Sequence, residues 1–210
     1  MLRKFKAVFL DVDGTLYRSR EYEEHLLQSA VAVIAEMLGL ARPEAFKRLM
    51  EVKEKVKTVS RSVEVLGLER GRFYDRLADV ADVKKYIHPS AAVVGLLRNL
   101  RRKGVVIGLH TNSGRKLAGK VLECLGVDRQ CYDFIVTSDD AEPKPDPSGY
   151  MLLLEKAGVN ASDALYVGDR CDVELAPAKK LGMYTAAVYT DKCDYADYFL
   201  KSLSEIENFT

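Results

Sequence analysis

Apolar residues gather in five short β-rich runs along the chain: Ala7–Leu10, Val105–His110, Phe134–Thr137, Ala164–Val167 and Thr185–Tyr189. Unbroken apolar runs of this length suit strands buried on both faces of a parallel sheet, not strands with one wet face. Between the later runs the apolar positions recur at helical spacing, over Pro89–Lys103, Arg115–Leu125, Pro147–Ala157 and Val173–Leu181. Strands alternating with helices in this way predict an α/β fold with a doubly wound parallel sheet. Gly104, Gly126, Gly158 and Gly182 stand where those helices should end, as left-handed C-terminal caps would require.

The first two strands are separated by far more chain than a crossover helix needs. That stretch reads as helical throughout, with Glu23–Leu38, Pro43–Lys57 and Gly71–Val80 as its elements. The spacing therefore predicts a core of residues 1–16 and 87–210, with an all-helical insertion at 17–86. Its hinges fall near Arg18–Glu21 and Lys84–Pro89, so the insertion would sit over whatever lies at the end of the first strand.

Composition narrows the class only slightly. An apolar share of 48 % over 210 residues is ordinary for a globular chain, and a net charge of +1 gives no reason to expect nucleic acid or a membrane surface as partner. No apolar run approaches the ~20 residues that span a bilayer. The N-terminus runs straight into the first strand without a signal-peptide body, so a cytoplasmic protein is expected. The four cysteines, Cys124, Cys131, Cys171 and Cys193, show no metal-binding spacing and read as reduced thiols.

The chemistry-bearing residues lie at strand ends. Asp11 and Asp13 close the first run, and in extended chain their side chains point the same way. A buried strand rarely keeps carboxylates unless they are paired, metal-bound or functional. Thr111-Asn112-Ser113-Gly114 follows the second run, Glu142-Pro-Lys144-Pro-Asp146-Pro147 the third, and Gly168-Asp169-Arg170-Cys171-Asp172 the fourth. Parallel strands end on one edge of a sheet, so these segments should converge. Together they offer carboxylates for a hard cation such as Mg²⁺, a hydroxyl, backbone amides and a lysine, a set suited to a phosphoryl group.

These motifs, Asp11-Val-Asp-Gly-Thr-Leu16, Thr111-Asn112, Lys144-Pro-Asp-Pro147 and Gly168-Asp169, resemble in order and placement those of the haloacid dehalogenase superfamily of phosphohydrolases. The resemblance covers essentially the whole chain. It implies a Rossmann-like core with a type I helical cap, and Mg²⁺-dependent hydrolysis of a small phosphomonoester, nucleoside monophosphate- or phosphoglycolate-like. By position it implies Asp11 as nucleophile and Asp13 as acid and base, with Thr111, Asn112 and Lys144 around the phosphate. Mg²⁺ would be held by Asp11, the Asp13 carbonyl and Asp169. Relatives often carry a further aspartate four or five residues beyond the metal-binding one. Here Val173 and Glu174 occupy those places, which leaves Asp172 or Glu174 for that role, and Asp172 is the expected choice.

Other readings stay open. The same aspartyl-phosphate serves sugar-phosphate mutases. A non-catalytic phosphoacceptor or phosphometabolite-binding protein shares the carboxylates and lysine, though receiver-like domains lack such an insertion. In the insertion, Lys57 and Arg61 are the cations placed to reach an anionic substrate. Arg170 is expected to form a local ion pair, and Tyr17 and Tyr22 to pack near the opening. His25, His88 and His110 are expected to be structural.

Overall fold

A computed structural model describes residues 3–210; Met1 and Leu2, the first residues of the expected core segment and of the N-terminal reading, lie outside the described residues. The strands are β1 Ala7–Asp11, β2 Val106–His110, β3 Phe134–Val136, β4 Ala164–Gly168, β5 Tyr184–Val188 and β6 Tyr198–Leu200. They form one parallel sheet in the order β3-β2-β1-β4-β5-β6, the doubly wound order whose direction reverses beside β1. Five of them coincide with the five apolar runs to within a residue at each end. β6 has no counterpart among those runs, because three partly exposed residues are too few to show a period.

Alternate residues of β1 serve opposite faces of the sheet. Val8 and Leu10 join the larger core with α6 (Ala91–Arg102), α7 (Arg115–Leu125) and the C-terminal 3₁₀ segment Leu203–Phe209. Ala7 and Phe9 join the smaller one, with Tyr150 and Leu153 of α8 (Ser148–Ala157) and Ala178 of α9 (Ala176–Lys180). All five residues of β1 are buried, as an interior strand of a covered sheet must be.

The stretch after β1 contains α1 (Arg20–Leu38), α2 (Arg42–Val56), α3 (Val59–Val65), α4 (Arg70–Val80) and α5 (Val83–Tyr86), with no named strand among the described residues. The Ser19 side chain caps α1 by accepting from the Tyr22 amide, and Gly39 closes it with φ 65°. α2 carries Pro43 in its first turn and stops at Lys57, whose φ of 67° is a left-handed turn taken by a non-glycine residue. α3 and α5 are too short to stand out in the sequence pattern. The larger core continues unbroken from α6 and α7 into α1, α2 and α4, through Ile34, Leu49, Phe73 and Leu77.

Two expectations need correction. The helix read as Val173–Leu181 begins instead as a π-type turn, Cys171–Leu175, before α9. The cysteines are not all free thiols, because Cys171 and Cys193 form a disulfide while Cys124 and Cys131 are free. Sequence spacing could not show this, since the two sulfurs meet only when the segments after β4 and β5 lie side by side.

Candidate active site

The carboxyl edge of the sheet assembles the site. Asp11 ends β1 level with His110 of β2, so Thr111, Asn112 and Ser113 emerge beside it. Gly168 ends β4 and delivers Asp169. Lys144, from the loop after β3, reaches back so that its Nζ lies 2.5 Å from Asp11 Oδ1, 3.1 Å from Glu174 Oε1 and 3.4 Å from the His110 carbonyl oxygen. Asp11, Lys144 and Glu174 are each only 2 % exposed.

Asp11, Asp169 and Glu174 each offer a carboxylate oxygen within 4.8 Å of the others, a cluster that could hold a metal ion. Asp11 Oδ2 and Asp169 Oδ1 are buried and lack any hydrogen-bond partner. Burial pushes the Asp11 carboxyl up to about 8, Glu174 and Asp13 adding to the rise and Lys144 opposing it. Burial, then the Asp11 charge, pushes Asp169 up to about 6. Burial alone would lower Lys144, but Asp11 and Glu174 outweigh it and hold the ammonium well above its ordinary range. Three carboxylates facing one ammonium in a dry site leave excess negative charge and unpaired oxygens. A hard cation with oxygen ligands relieves both, so the donor set fits such an ion.

The cluster differs from the expected set at one place. Asp172 is exposed and outside it, whereas Glu174 is inside. The π-type turn explains this. The Glu174 and Leu175 amides both donate to the Arg170 carbonyl, at 2.9 and 3.4 Å, and the widened turn brings position 174, not 172, back over the strand end. Two glycines make room for these carboxylates. Gly14, at φ 98°, would place a Cβ 2.6 Å from Asp169 Oδ2, and a Cβ on Gly168 would collide with the Glu174 carboxylate.

Asp13 sits at the next position out and receives three hydroxyls. Tyr17 donates to its Oδ1 at 2.5 Å, while Thr111 at 2.7 Å and Ser113 at 3.5 Å donate to Oδ2. The Asn112 side chain brackets the Lys144 peptide, donating to its carbonyl at 3.0 Å and accepting from its amide at 2.7 Å. That side chain is therefore spent on positioning Lys144, and the backbone amide is what Asn112 has left for a ligand. Ser113, Tyr17 and the Asn112 clamp were not assigned these roles from sequence. Only the hydroxyls crowding the motif ends hinted at them.

Above Asp13 and Gly14 lies a cavity of about 470 Å³, walled on its far side by the helical insertion. Lys57 lines it, but Arg61 does not; the Arg61 guanidinium stands 3.7 Å from Asp146 Oδ2, across the gap between insertion and core. Arg170 also bridges that gap, donating to the Lys57 carbonyl at 3.0 Å in place of the expected local ion pair. Ser60 does the same toward the Asn112 carbonyl at 3.0 Å. His110 is packed between Tyr150 and Tyr166, 3.0 Å from the Tyr166 hydroxyl, and burial, then Lys144, holds it well below the usual imidazole range. His25 accepts from the Asp82 amide at 3.0 Å and stacks on Tyr86. Both are structural, as expected.

Comparison with known proteins agrees with this arrangement. The family model of haloacid dehalogenase-like hydrolases matches residues 5–182. The chain is 26 % identical over 217 residues to a glyceraldehyde 3-phosphate phosphatase of Methanocaldococcus jannaschii, an alignment covering 96 % of this chain and 95 % of that protein. A glyceraldehyde 3-phosphate phosphatase of Methanopyrus kandleri is 28 % identical over 215 residues, covering 97 % and 91 %. Among solved structures, a HAD phosphatase from Thermococcus onnurineus superposes with a TM-score of 0.70 at 23 % identity, covering 97 % of this chain and 96 % of that one.

Proposed function

The chain belongs to the haloacid dehalogenase-like hydrolases and is a phosphoric monoester hydrolase of that family, and we propose that it works as a Mg²⁺-dependent phosphatase of a small phosphorylated metabolite through an aspartyl-phosphate. The observation that carries this reading is Asp11 itself, whose Oδ1 is held by Lys144 while its buried Oδ2 is left unpartnered, two residues before the Asp13 that lines the cavity.

In the proposed reaction an Asp11 carboxylate oxygen forms a bond to phosphorus as the bond to the leaving oxygen breaks, and Asp13 gives that oxygen its proton. Asp13 then takes a proton from water, whose oxygen attacks the same phosphorus and frees Asp11 and inorganic phosphate. Lys144 and Thr111 face the non-bridging oxygens, with Asn112 and Ser113 fixing the loop that carries them. Asp11, Asp169, the Asp13 carbonyl and Glu174 would hold Mg²⁺, with Asp172 playing no part. When bound, the ion neutralises charge so that an anionic nucleophile approaches an anionic ester.

The helical insertion is assigned as a cap that shuts water out of the cavity and selects the alcohol half of the substrate. Lys57 stands at its rim, while Arg61 and Arg170 hold cap to core.

Purified protein with Mg²⁺ is expected to hydrolyse 4-nitrophenyl phosphate. Asp11→Asn is expected to abolish this while leaving the chain folded. Full activity in that variant overturns the mechanism.

A further inference from the structure

The two oxygens of Asp13 are held by different elements. Oδ2 accepts from Thr111 and Ser113, on the loop after β2, at 2.7 and 3.5 Å. Oδ1 accepts from Tyr17 at 2.5 Å. The backbone sets that reach. Beyond Asp13 the chain turns at Gly14, at φ 98°, and comes straight back, the Gly14 amide donating to the Tyr17 carbonyl at 3.1 Å. Leu16 is buried, and the Tyr17 ring packs against Tyr22 with 6.0 Å between centroids, so the fold places the phenol independently of the carboxylate it meets. A substrate would treat the two sides differently. A hydroxyl has one proton to donate, so Thr111 no longer donates to Oδ2 when it serves a phosphoryl oxygen, as the proposed reaction requires. Tyr17 has no second duty, since its hydroxyl meets Asp13 and no other partner among the described residues. The oxygen that accepts from Tyr17 is the unprotonated one, which leaves the carboxyl proton to Oδ2, on the side of Thr111 and the phosphate.

We propose that Tyr17 is a positioning residue for Asp13: by occupying Oδ1 it keeps the carboxyl turned so that Oδ2, carrying the proton, faces the leaving oxygen. This role rests on reading the chain as a phosphatase and goes beyond it by naming what aims the acid. In the first step the proton passes from Oδ2 to the leaving oxygen as its bond to phosphorus breaks. In the second, Oδ2 regains a proton from the attacking water. Oδ1 accepts from Tyr17 throughout, and Tyr17 itself neither loses nor gains a proton.

Tyr17→Phe removes the hydroxyl and keeps the ring. Phenyl phosphate and 4-nitrophenyl phosphate read the effect, because their bodies are alike while their leaving oxygens need the proton to different degrees. Phenoxide is far the more basic, whereas the nitro group lets its phenoxide depart with little help. kcat/KM reports the step in which that oxygen leaves and is untouched by the later hydrolysis of the aspartyl-phosphate. With the full chain and Mg²⁺, Tyr17→Phe is expected to lower kcat/KM about 10–100-fold for phenyl phosphate and less than about threefold for 4-nitrophenyl phosphate. The ratio between the two esters does not depend on how much of the variant is folded, so misfolding cannot imitate the split. Losses that are absent, equal on both esters or larger on 4-nitrophenyl phosphate would leave Tyr17 a packing residue and overturn the inference, with the phosphatase reading still standing. If the unaltered protein hydrolyses neither ester, both fall.

Discussion

The Lys144 ammonium lies 2.5 Å from Asp11 Oδ1, in a contact closed across 133 residues of sequence and almost wholly shut away from water. Lys144 is also 3.1 Å from Glu174, so one cation compensates two buried carboxylates at once. Such a lysine cannot be spared. Replacing it by Met leaves uncompensated charge where water cannot reach, and breaking a buried pair in this way costs about 3–5 kcal/mol. Lys144→Met is expected to lower the melting temperature of metal-free protein by roughly 6–20 °C, and to reduce kcat by about two to three orders of magnitude. A melting curve by circular dichroism and a steady-state assay check the two effects separately. An unshifted melt would show that the pair does not carry the balance assigned to it.

Glu174 and Asp172 give a paired test. The π-type turn brings Glu174 into the carboxylate cluster and leaves Asp172 in solvent. Glu174→Gln keeps the shape and removes the charge, so Mg²⁺ affinity is expected to fall about 10–100-fold. Asp172→Asn is expected to change it less than about twofold, as surface substitutions ordinarily do. Titration of Mg²⁺ dependence in both variants decides the matter; the opposite order would return the ligand to Asp172.

What the sequence could and could not reveal follows from the range over which each signal acts. The strands were legible because a buried parallel strand is apolar at every position, as Ala7–Leu10 shows. The site was legible as far as motifs end strands, which is why Asp11, Lys144 and Asp169 fall where expected. Asp172 misled because three residues along a regular helix is nearly one turn, and nothing in Cys171-Asp172-Val173-Glu174 announces a turn of different pitch. Arg61 misled for another reason. It lies on the helical insertion, but its guanidinium stands beside Asp146 of the core, a residue whose proximity depends on how insertion and core meet. The Cys171–Cys193 bond shares that long-range character.

That disulfide ties the turn bearing Glu174 to the segment after β5, closing a loop of 22 residues. Loop-closure entropy for this length gives about 3 kcal/mol of stabilisation. Cys193→Ser is therefore expected to lower the melting temperature by roughly 6–12 °C. The same loss should appear in unaltered protein treated with a dithiol and be absent when the dithiol is added to Cys193→Ser. Identical melts with and without the dithiol would mean the bond does not form in solution.

Stability of the metal-free protein should fall as pH rises from about 6.5 to 8. Burial, with Glu174 and Asp13 adding, raises the folded-state Asp11 pKa to about 8, against 3.8 ordinarily. Over the interval between those values the folded chain holds a proton that the unfolded chain has released, so raising pH favours unfolding. Asp169, raised to about 6, acts in the same direction but completes its share lower down. His110 acts oppositely. Its pKa is held well below 6.5, so its buried neutral ring costs stability only as pH falls beneath that value, and it is silent above. The window from 6.5 to 8 thus belongs to Asp11. Mg²⁺ competes with the proton for the Asp11 oxygens, so its stabilising effect should grow across the same window. Melts at both pH values, in chelator and in excess Mg²⁺, are expected to diverge as pH rises, and Asp11→Asn should remove most of the slope in chelator. Parallel curves would mean that the proton and the ion do not share this carboxylate.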